Sequence, residues 1–319
     1  MNFHGKDIKI FAGSSNLTVA KGIADGLGLP LGKSDCCTFS DGEIAISLNE
    51  SVRGSECFIV QSTCDPVNDN LMELLIMIDA MKRASAARIT AVMPYFGYAR
   101  QDRKAKPRDP ISAKLVADLI TTAGADRLLT MDLHANQIQG FFNIPVDHLL
   151  GAPLLARYMK EMVGTDKDDY IVVSPDLGSV TRARNFANKI GCGLAIVDKR
   201  RQRANVSEVM NIIGDVKDKK VILVDDMIDT AGTLCNAAAA LIERGGATSV
   251  TACATHAVLS GPAIERIKNS VISKVVLLDT VPVEGEKLID KFTVLPVAPT
   301  FARAIERIYA DQPFNNVFG

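Results

Sequence analysis

Hydrophobic residues occur along the chain in short aliphatic runs that alternate with longer amphipathic stretches. Runs rich in Val, Ile and Leu predict strands that are buried on both faces, as in a parallel sheet covered by helices. The predicted strands are Ile8–Ala12, Cys57–Gln61, Arg88–Pro94, Arg127–Met131, Tyr170–Ser174, Gly193–Asp198, Val221–Asp225, Ser249–Thr255, Lys274–Asp279 and Phe292–Pro296. The alternation predicts an α/β fold with ligands at the carboxyl ends of the strands.

Helix ends are marked by polar residues, prolines and glycines. Asn70, with Glu73 three residues later, predicts the start of one helix. Asp109 and Pro110 predict an N-cap and first helical residue, and Gly124 predicts the end of that second helix.

The chain is long enough for two domains, with 319 residues. A strand, a polar turn, a helix and a second strand recur in the two halves, which suggests a weak internal duplication. We expect the halves to meet near residue 150, giving domains 1–150 and 151–319. The last helix is expected to pack back on the first domain.

Charge and cysteine content narrow the class of protein. The 36 Lys and Arg residues balance 37 Asp and Glu residues, so the net charge of −1 favours neither nucleic acid nor an anionic membrane as a partner. No apolar run approaches the ~18 residues of a membrane span. The N-terminal residues are charged, and the seven cysteines form no CxxC pair. These features predict a cytoplasmic protein with buried, reduced cysteines.

The most informative stretch is VILVDDMIDTAGT, an aliphatic strand followed by an acidic turn and a helix. Small residues and threonines at a helix N-terminus leave N–H groups and hydroxyls open to a phosphate. Adjacent carboxylates suit vicinal hydroxyls, which donate hydrogen bonds to them. The turn therefore predicts a ribose 5-phosphate site rather than a solvated helix cap. Its residues are Asp225, Asp226, Asp229, Thr230, Ala231, Gly232 and Thr233.

Four further segments carry candidate chemistry, and each also has a plainer interpretation. Phe39 beside an acidic turn suits stacking on a base, although such a segment is more often only a turn. The basic run from Tyr98 follows a strand and suits a polyphosphate clamp, although most charge runs are solvated. His134 and Asp176 each follow a strand and are candidates for a shared magnesium site, although a lone His is usually structural. The run around Lys199 suits a loop that closes over a charged transition state.

With these motifs in order, the sequence resembles the phosphate-activated class of ribose-phosphate pyrophosphokinases, which make 5-phosphoribosyl 1-diphosphate (PRPP). The resemblance covers nearly the whole chain and includes the segments FAGSSN, FSDGE, YARQDRK, MDLHANQIQGFF, SPD, DKRR and VILVDDMIDTAGT. It implies two phosphoribosyltransferase-like domains, each a mostly parallel sheet flanked by helices. It also implies homohexamers with an ATP site shared between subunits, Mg²⁺, and pyrophosphoryl transfer from ATP to ribose 5-phosphate.

The resemblance assigns roles to matching positions. For ATP these are Phe39, Asp41, Gly42, Glu43, Arg100, Gln101, Asp102 and His134. The pyrophosphate loop would comprise Asp176, Leu177, Gly178 and Ser179, and the metal would lie at His134 and Asp176. Lys199 and Arg201 would be catalytic, with Arg201 also contacting ribose 5-phosphate, and Ser51 and Arg53 match regulatory positions.

Two positions depart from the family pattern. The family usually has a Gly pair where this chain has Gly178 and Ser179. Because Ser does not adopt positive φ freely, Ser179 is expected to perturb the pyrophosphate loop. A C-terminal Ser-Val-Ser segment that binds regulatory phosphate or ADP is replaced here by Pro313, Phe314 and Asn315. The response to phosphate and ADP is therefore open.

Two other functions remain to be separated from PRPP synthesis. A phosphoribosyltransferase consumes PRPP at the same kind of loop, but the FSDGE and YARQDRK segments count against it. A non-catalytic regulatory paralogue would be expected to lose the basic loop, which is intact here at Lys199 and Arg201.

Overall fold

The computed structural model describes residues 7–200 and 209–314. The chain divides into two compact units. The first unit comprises Met1–Leu150, Thr280–Pro282 and Pro296–Gly319, and the second comprises Gly151–Asp279 and Val283–Leu295.

The first unit is built on a five-stranded sheet. Its elements in chain order are β1 (Ile8–Ala12), α1 (Leu17–Gly26), β2 (Ser34–Thr38), β3 (Ile44–Leu48), β4 (Glu56–Val60), α2 (Val67–Arg83), β5 (Arg88–Met93), α3 (Ser112–Ala123), β6 (Arg127–Met131), a 3₁₀ helix (Asn136–Phe141) and β7 (Val146–Leu149). The sheet order is β1-β4-β5-β6-β7, and every pairing in it is parallel. β2 and β3 form a separate antiparallel hairpin.

The second unit is built on a seven-stranded sheet. Its elements are α4 (Ala152–Val163), a 3₁₀ helix (Lys167–Asp169), β8 (Tyr170–Ser174), α5 (Val180–Ile190), β9 (Gly193–Arg200), β10 (Val209–Ile213), β11 (Lys220–Ile228), α6 (Gly232–Glu243), β12 (Ser249–Ala257), α7 (Ala263–Lys268), β13 (Ile272–Leu278), a 3₁₀ helix (Gly285–Lys287) and β14 (Phe292–Leu295). The sheet order is β10-β9-β8-β11-β12-β13-β14, and β10 alone pairs antiparallel within it.

The two sheets share a five-strand arrangement. The order β1-β4-β5-β6-β7 has the same succession along the chain as β8-β11-β12-β13-β14. The turn after β4 in the first unit therefore corresponds to the turn after β11 in the second. This equivalence makes the two turns directly comparable.

The last helix, α8 (Ala298–Tyr309), belongs to the first unit and packs against α1. Small residues allow this close contact, since a Cβ built on Gly22 would lie 2.7 Å from the Ala298 side chain. Among the described residues, no helix is both long enough and apolar enough to cross a bilayer.

The α/β class with two mostly parallel sheets confirms the predicted fold class. β1, β6 and β8 have the predicted bounds. The prediction that Asn70 caps a helix is wrong, because α2 begins at Val67 and Asn70 lies buried inside it. The predicted start of the second helix at Asp109 and Pro110 is wrong, because α3 begins at Ser112 with Ile111 as its N-cap. Its end is confirmed, since the helix stops at Ala123 and Gly124 is the C-cap.

Four of the cysteines differ from the expectation of burial, because two are exposed and two, Cys192 and Cys235, are half-buried. All seven thiols are free, but Cys36 and Cys37 are exposed on β2 rather than buried. β2 and β3 are absent from the predicted strands. SDCCT in β2 contains no aliphatic run, whereas IAISL in β3 is aliphatic and was missed.

Candidate active site

The candidate site of the second unit lies where β8 and β11 end. These strands are parallel neighbours, paired through Leu223 and Val173. Their carboxyl ends therefore meet at one edge of the sheet. The turn after β8 carries Asp176 and Ser179, and the end of β11 carries Asp225 and Asp226.

The two adjacent carboxylates have different surroundings. Arg182, in the first turn of α5, lies 3.0 Å from Asp226 Oδ1 and 3.8 Å from Asp225 Oδ1. Asp225 Oδ1 also accepts hydrogen bonds from Ser179 Oγ at 3.0 Å and from Asp226 N at 2.9 Å. The Asp225 side chain is 23% exposed, against 7% for Asp226. Asp225 is therefore the carboxylate that a ligand can reach.

Burial, followed by the charge of Asp226, raises the pKa of Asp225 to about 7. Burial disfavours the charged form, and a like charge at the next residue adds to this effect. The positive charge of Arg182 acts in the opposite direction. Near neutral pH, the Asp225 carboxyl group therefore exchanges between an ionised form that accepts hydrogen bonds and a protonated form that also donates one.

The rest of the acidic turn forms the N-terminus of α6. Ala231 precedes the helix with φ of 58°, and the first hydrogen bond of the helix runs from Cys235 N to Ala231 O at 2.9 Å. The earlier N–H groups of such a turn have no acceptor within the helix and suit an anion. Arg266 supports the turn by donating to Thr230 O at 2.9 Å, and the Ser260 hydroxyl hydrogen-bonds Asp229.

The turn after β8 is held by its own side chains. Ser174 Oγ donates to Asp176 O at 2.7 Å, and Ser179 N donates to Asp176 Oδ1 at 2.8 Å. Ser179 has φ of −89° and ψ of 1°. The expected perturbation by Ser179 is therefore not found, because this position does not need the positive φ that favours glycine. Leu177 and Gly178, between Asp176 and Ser179, are exposed.

The hairpin of the first unit presents the FSDGE segment at its turn. Phe39 is 58% exposed, and its backbone N donates a hydrogen bond to Glu43 O at 2.7 Å. Gly42 has φ of 97°, a conformation that favours glycine, and Glu43 N donates to Asp41 Oδ1 at 3.2 Å. The aromatic ring and both carboxylates are thus available at an exposed turn.

The loops after β5 and β6 are linked to each other in the same unit. Gln137, in the 3₁₀ helix after β6, donates to Asp102 Oδ2 at 2.5 Å. Gln101 accepts from Ser112 Oγ at 2.5 Å, which ties its loop to the start of α3. Arg100 and His134 are both exposed. Four of the predicted ATP-side residues therefore lie on two connected loops.

The proposed metal, catalytic and regulatory residues lie in different parts of the chain. His134 belongs to the first unit and Asp176 to the second. The backbone of Lys199 pairs with Met210 at the end of β9, and Arg201 lies outside the described residues. Ser51 and Arg53 are exposed before β4, where Arg53 N donates to Ser51 Oγ at 3.4 Å. Asn315 also lies outside the described residues.

Three residues that contact the acidic segment were not among those predicted from the sequence: Arg182, Ser260 and Arg266. A signal for Arg182 was present, since two adjacent carboxylates at the end of an aliphatic strand call for a nearby cation. Arg182 is three residues after the proposed pyrophosphate loop, within one helical turn of it.

The sequence matches two family models. The one described as the N-terminal domain of ribose phosphate pyrophosphokinase matches residues 8–124, and the one described as the phosphoribosyl transferase domain matches residues 146–285. A ribose-phosphate pyrophosphokinase of Clostridium perfringens (strain 13 / Type A) is 66% identical over 319 residues, which cover 100% of this chain and 99% of the relative. The chain belongs to the ribose-phosphate pyrophosphokinase family.

Further similarities extend over the same length. A ribose-phosphate pyrophosphokinase of Clostridium tetani (strain Massachusetts / E88) is 64% identical and covers 98% of each chain. The crystal structure of phosphoribosylpyrophosphate synthetase from Mycobacterium smegmatis has a TM-score of 0.91 at 43% identity, covering 96% of this chain and 100% of the other. Membership of the family therefore rests on the sequence and on the fold of the whole chain.

Proposed function

We propose that this enzyme transfers the β,γ-pyrophosphoryl group of ATP to the anomeric hydroxyl of ribose 5-phosphate, giving PRPP and AMP. The observation that carries the proposal is the acidic turn at the carboxyl end of β11. It places a reachable carboxylate, Asp225, beside the open N-terminus of α6. Family membership supports the same reaction.

In this proposal, the two ends of the turn bind different parts of the sugar. The 5-phosphate lies against the N–H groups and hydroxyls of residues 230–233, where the helix N-terminus favours an anion. The ribose hydroxyls bond to the carboxylates of Asp225 and Asp226, and Arg201 contacts the same substrate. Separating acceptor carboxylates from the phosphate avoids repulsion between like charges.

ATP is assigned to the exposed elements of the first unit. Phe39 stacks on adenine, while Asp41 and Glu43 accept hydrogen bonds from the nucleotide. Arg100 and Gln101, with Asp102 and His134 on the connected loops, bind its polar groups. We further propose that the ATP site is shared between subunits of a homohexamer. The cytoplasm is the proposed compartment, and neither nucleic acid nor a membrane is a proposed partner.

Magnesium fits the residues proposed for it. Within the ranges 7–200 and 209–314, no group of three His, Cys, Asp or Glu side chains is arranged to hold a metal ion. Mg²⁺ usually keeps water and substrate phosphates among its ligands, so one or two protein groups suffice to hold it. Asp176 uses Oδ1 for Ser179 N and keeps a second oxygen for a cation. When bound, Mg²⁺ neutralises charge on the ATP phosphates; His134 and Asp176 are its proposed protein neighbours.

The reaction needs positioning and charge stabilisation more than a strong base. The anomeric oxygen attacks the β-phosphorus in line, the new O–P bond forms, and the bond from the β-phosphorus to the AMP oxygen breaks. Lys199 and Arg201 are proposed to stabilise the charge on the transferred group. Loss of such a donor typically lowers kcat by roughly 10²–10³. Lys199→Ala is expected in that range, with ATP binding less affected.

One assay tests the function. The purified protein is incubated with ATP, ribose 5-phosphate and Mg²⁺, and AMP and PRPP are measured. Formation of both products in equal amounts is expected. A phosphoribosyltransferase would instead consume added PRPP in the presence of a base, and a non-catalytic paralogue would form no AMP. The absence of AMP would overturn the proposal.

A further inference from the structure

Ser179 occupies the N-cap of α5 without capping it. A serine at this position usually accepts a hydrogen bond from an N–H group two or three residues later. Here no such side-chain bond is made, and the hydroxyl instead donates to Asp225 Oδ1 at 3.0 Å. The helix thus forgoes a common stabilising contact in favour of a bond to another strand.

This bond completes the hydrogen bonding of one Asp225 oxygen. Oδ1 accepts from Ser179 Oγ and from Asp226 N at 2.9 Å, and Arg182 Nη1 lies 3.8 Å away. A carboxylate oxygen has about two lone-pair sites, so Oδ1 is fully used by the chain. A ligand hydroxyl must therefore bond to Oδ2, in an orientation that the contacts of Oδ1 fix.

Ser179 also contacts the carboxylate of the neighbouring loop. Its backbone N donates to Asp176 Oδ1 at 2.8 Å. One residue therefore bonds to the carboxylate of Asp176, which follows β8, and to that of Asp225, which lies near the end of β11. The backbone of Ser179 has a negative φ of −89°, so no strain opposes this position.

We propose that Ser179 is a positioning residue for the sugar. Its hydroxyl holds Asp225 so that Oδ2 accepts a hydroxyl of ribose 5-phosphate. The inference rests on the proposed function, because it assigns Asp225 to ribose. In this proposal Ser179, where the chain differs from the usual family pattern, contributes to the affinity for ribose 5-phosphate.

The test compares three variants of the full-length protein by calorimetric titration with ribose 5-phosphate and by steady-state kinetics. Ser179→Ala keeps the backbone bond to Asp176 but loses the hydroxyl. It is expected to weaken ribose 5-phosphate binding by about fivefold. The change should be larger in KM for ribose 5-phosphate than in kcat or in KM for ATP. Ser179→Thr keeps a hydroxyl and is expected to restore affinity to within about twofold of the wild type.

The matched control is Thr181→Ala, which removes an exposed hydroxyl from the same helix turn. It should bind ribose 5-phosphate like the wild type. Equal affinities of the wild type and Ser179→Ala would overturn the positioning role, as would a folded Ser179→Thr that binds like Ser179→Ala. If the wild type binds ribose 5-phosphate but forms no AMP, the proposed reaction itself is contradicted. The two failures are therefore distinguishable.

Discussion

The turn after β4 and the turn after β11 occupy the same place in two similar sheets, but their polar groups differ. After β4, Gln61, Ser62 and Thr63 are completely buried. Near the end of β11 the Asp225 side chain is 23% exposed, and Thr230 and Thr233 are exposed in the turn that follows. One turn is closed and uncharged, whereas the other is open and acidic.

The closed turn uses its polar groups for the protein itself. Gln61 Oε1 accepts from Ser15 Oγ at 2.7 Å and from Ser15 N at 3.1 Å, while Gln61 Nε2 donates to Asn70 O at 3.2 Å. Ser62 Oγ donates to Thr280 O at 2.6 Å. Nearly every hydrogen-bonding position is occupied by another residue of the first unit, which leaves little for a ligand.

The difference teaches that position in the fold does not make a binding site. The first unit instead presents its exposed groups on the hairpin turn at Phe39 and on the loops at Arg100 and His134. A site needs polar groups that the chain leaves unsatisfied at a reachable place. Substitutions in the closed turn should therefore change stability, and those in the open turn should change substrate use.

The largest effect is expected when an acid is placed in the closed turn. Gln61→Glu replaces the donor Nε2 with an oxygen that faces Asn70 O, so two buried acceptors meet. The free energy of unfolding should fall by about 2–4 kcal/mol. The melting temperature should fall by roughly 5–15 °C, which differential scanning calorimetry measures.

The control for this change is Gln139→Glu. Gln139 is exposed and donates to Asn136 O at 3.0 Å, so the same chemical change occurs in water. Its effect should stay within about 0.5 kcal/mol. If Gln61→Glu melts like the wild type, the closed turn tolerates charge and the contrast between the turns is lost.

The reverse change removes an acid from the open turn. Asp225→Asn replaces an acceptor oxygen with an amide donor and removes a charge beside Asp226. We expect kcat/KM for ribose 5-phosphate to fall by about 10–100-fold, because hydrogen bonds to charged groups contribute about 1.5–3 kcal/mol. The melting temperature should not fall, since repulsion within the acidic pair is relieved.

Asp168→Asn is the matched control for that loss. Asp168 is exposed just before the amino end of β8, the end opposite the proposed site. It should change neither kcat/KM nor the melting temperature. Wild-type kcat/KM in Asp225→Asn would contradict the assignment of this carboxylate to ribose.

The acidic residues of the open turn are easily found in the sequence because their signal is local. An aliphatic strand, three Asp residues and a small-residue helix start lie within 13 letters of each other, VILVDDMIDTAGT. The contacts that organise the turn are not local. Ser179 and Asp225 are 46 residues apart, and Arg266 supports Thr230 from α7. No periodicity or spacing identifies such pairs, which depend on how neighbouring strands are ordered.

The start of the helix that follows the closed turn was predicted wrongly, for a related reason. Asn70 and Glu73 have the spacing of a helix start, but α2 begins earlier, at Val67. Glu73 is buried and accepts from Ser14 N at 2.7 Å, while Asn70 donates to Cys64 O at 2.9 Å. These side chains satisfy distant groups instead of the helix N-terminus. Tertiary hydrogen bonds outweighed the local capping signal.

The acidic open turn should make stability depend on pH, whereas the uncharged closed turn should not. The pKa of Asp225 is raised from its ordinary value of 3.8 to about 7 by burial and by Asp226. The folded chain thus binds this proton more tightly than the unfolded chain, and stability should fall as pH rises from about 4 to about 7. Asp226→Asn removes the like charge, so its loss of stability over this window should be smaller by about 1 kcal/mol.

Melting temperatures of the substrate-free wild type and Asp226→Asn at pH 5 and pH 7.5 measure this difference. The wild type should lose about 2–4 °C more than the variant between the two values of pH. Comparing the change in melting temperature between the two values of pH cancels the contributions of the other carboxylates. It also cancels the constant loss of stability from the missing ion pair with Arg182. If the melting temperatures of the two proteins change equally with pH, the charge of Asp226 does not affect the titration of Asp225.

The smallest expected effect concerns the backbone where each turn enters its helix. Pro66 precedes α2 with φ of −75°, whereas Ala231 precedes α6 with φ of 58°. The left-handed conformation costs a residue with a Cβ about 1–2 kcal/mol, and glycine avoids this cost but loses more entropy on folding. Ala231→Gly should therefore raise the free energy of unfolding by about 0.5 kcal/mol, a rise of roughly 1–2 °C in melting temperature. Ala239→Gly, inside α6, should lower it by about 0.5–1 kcal/mol. If both variants are destabilised alike, the open turn stores no strain at Ala231, and the two turns differ in their polar groups but not in their backbones.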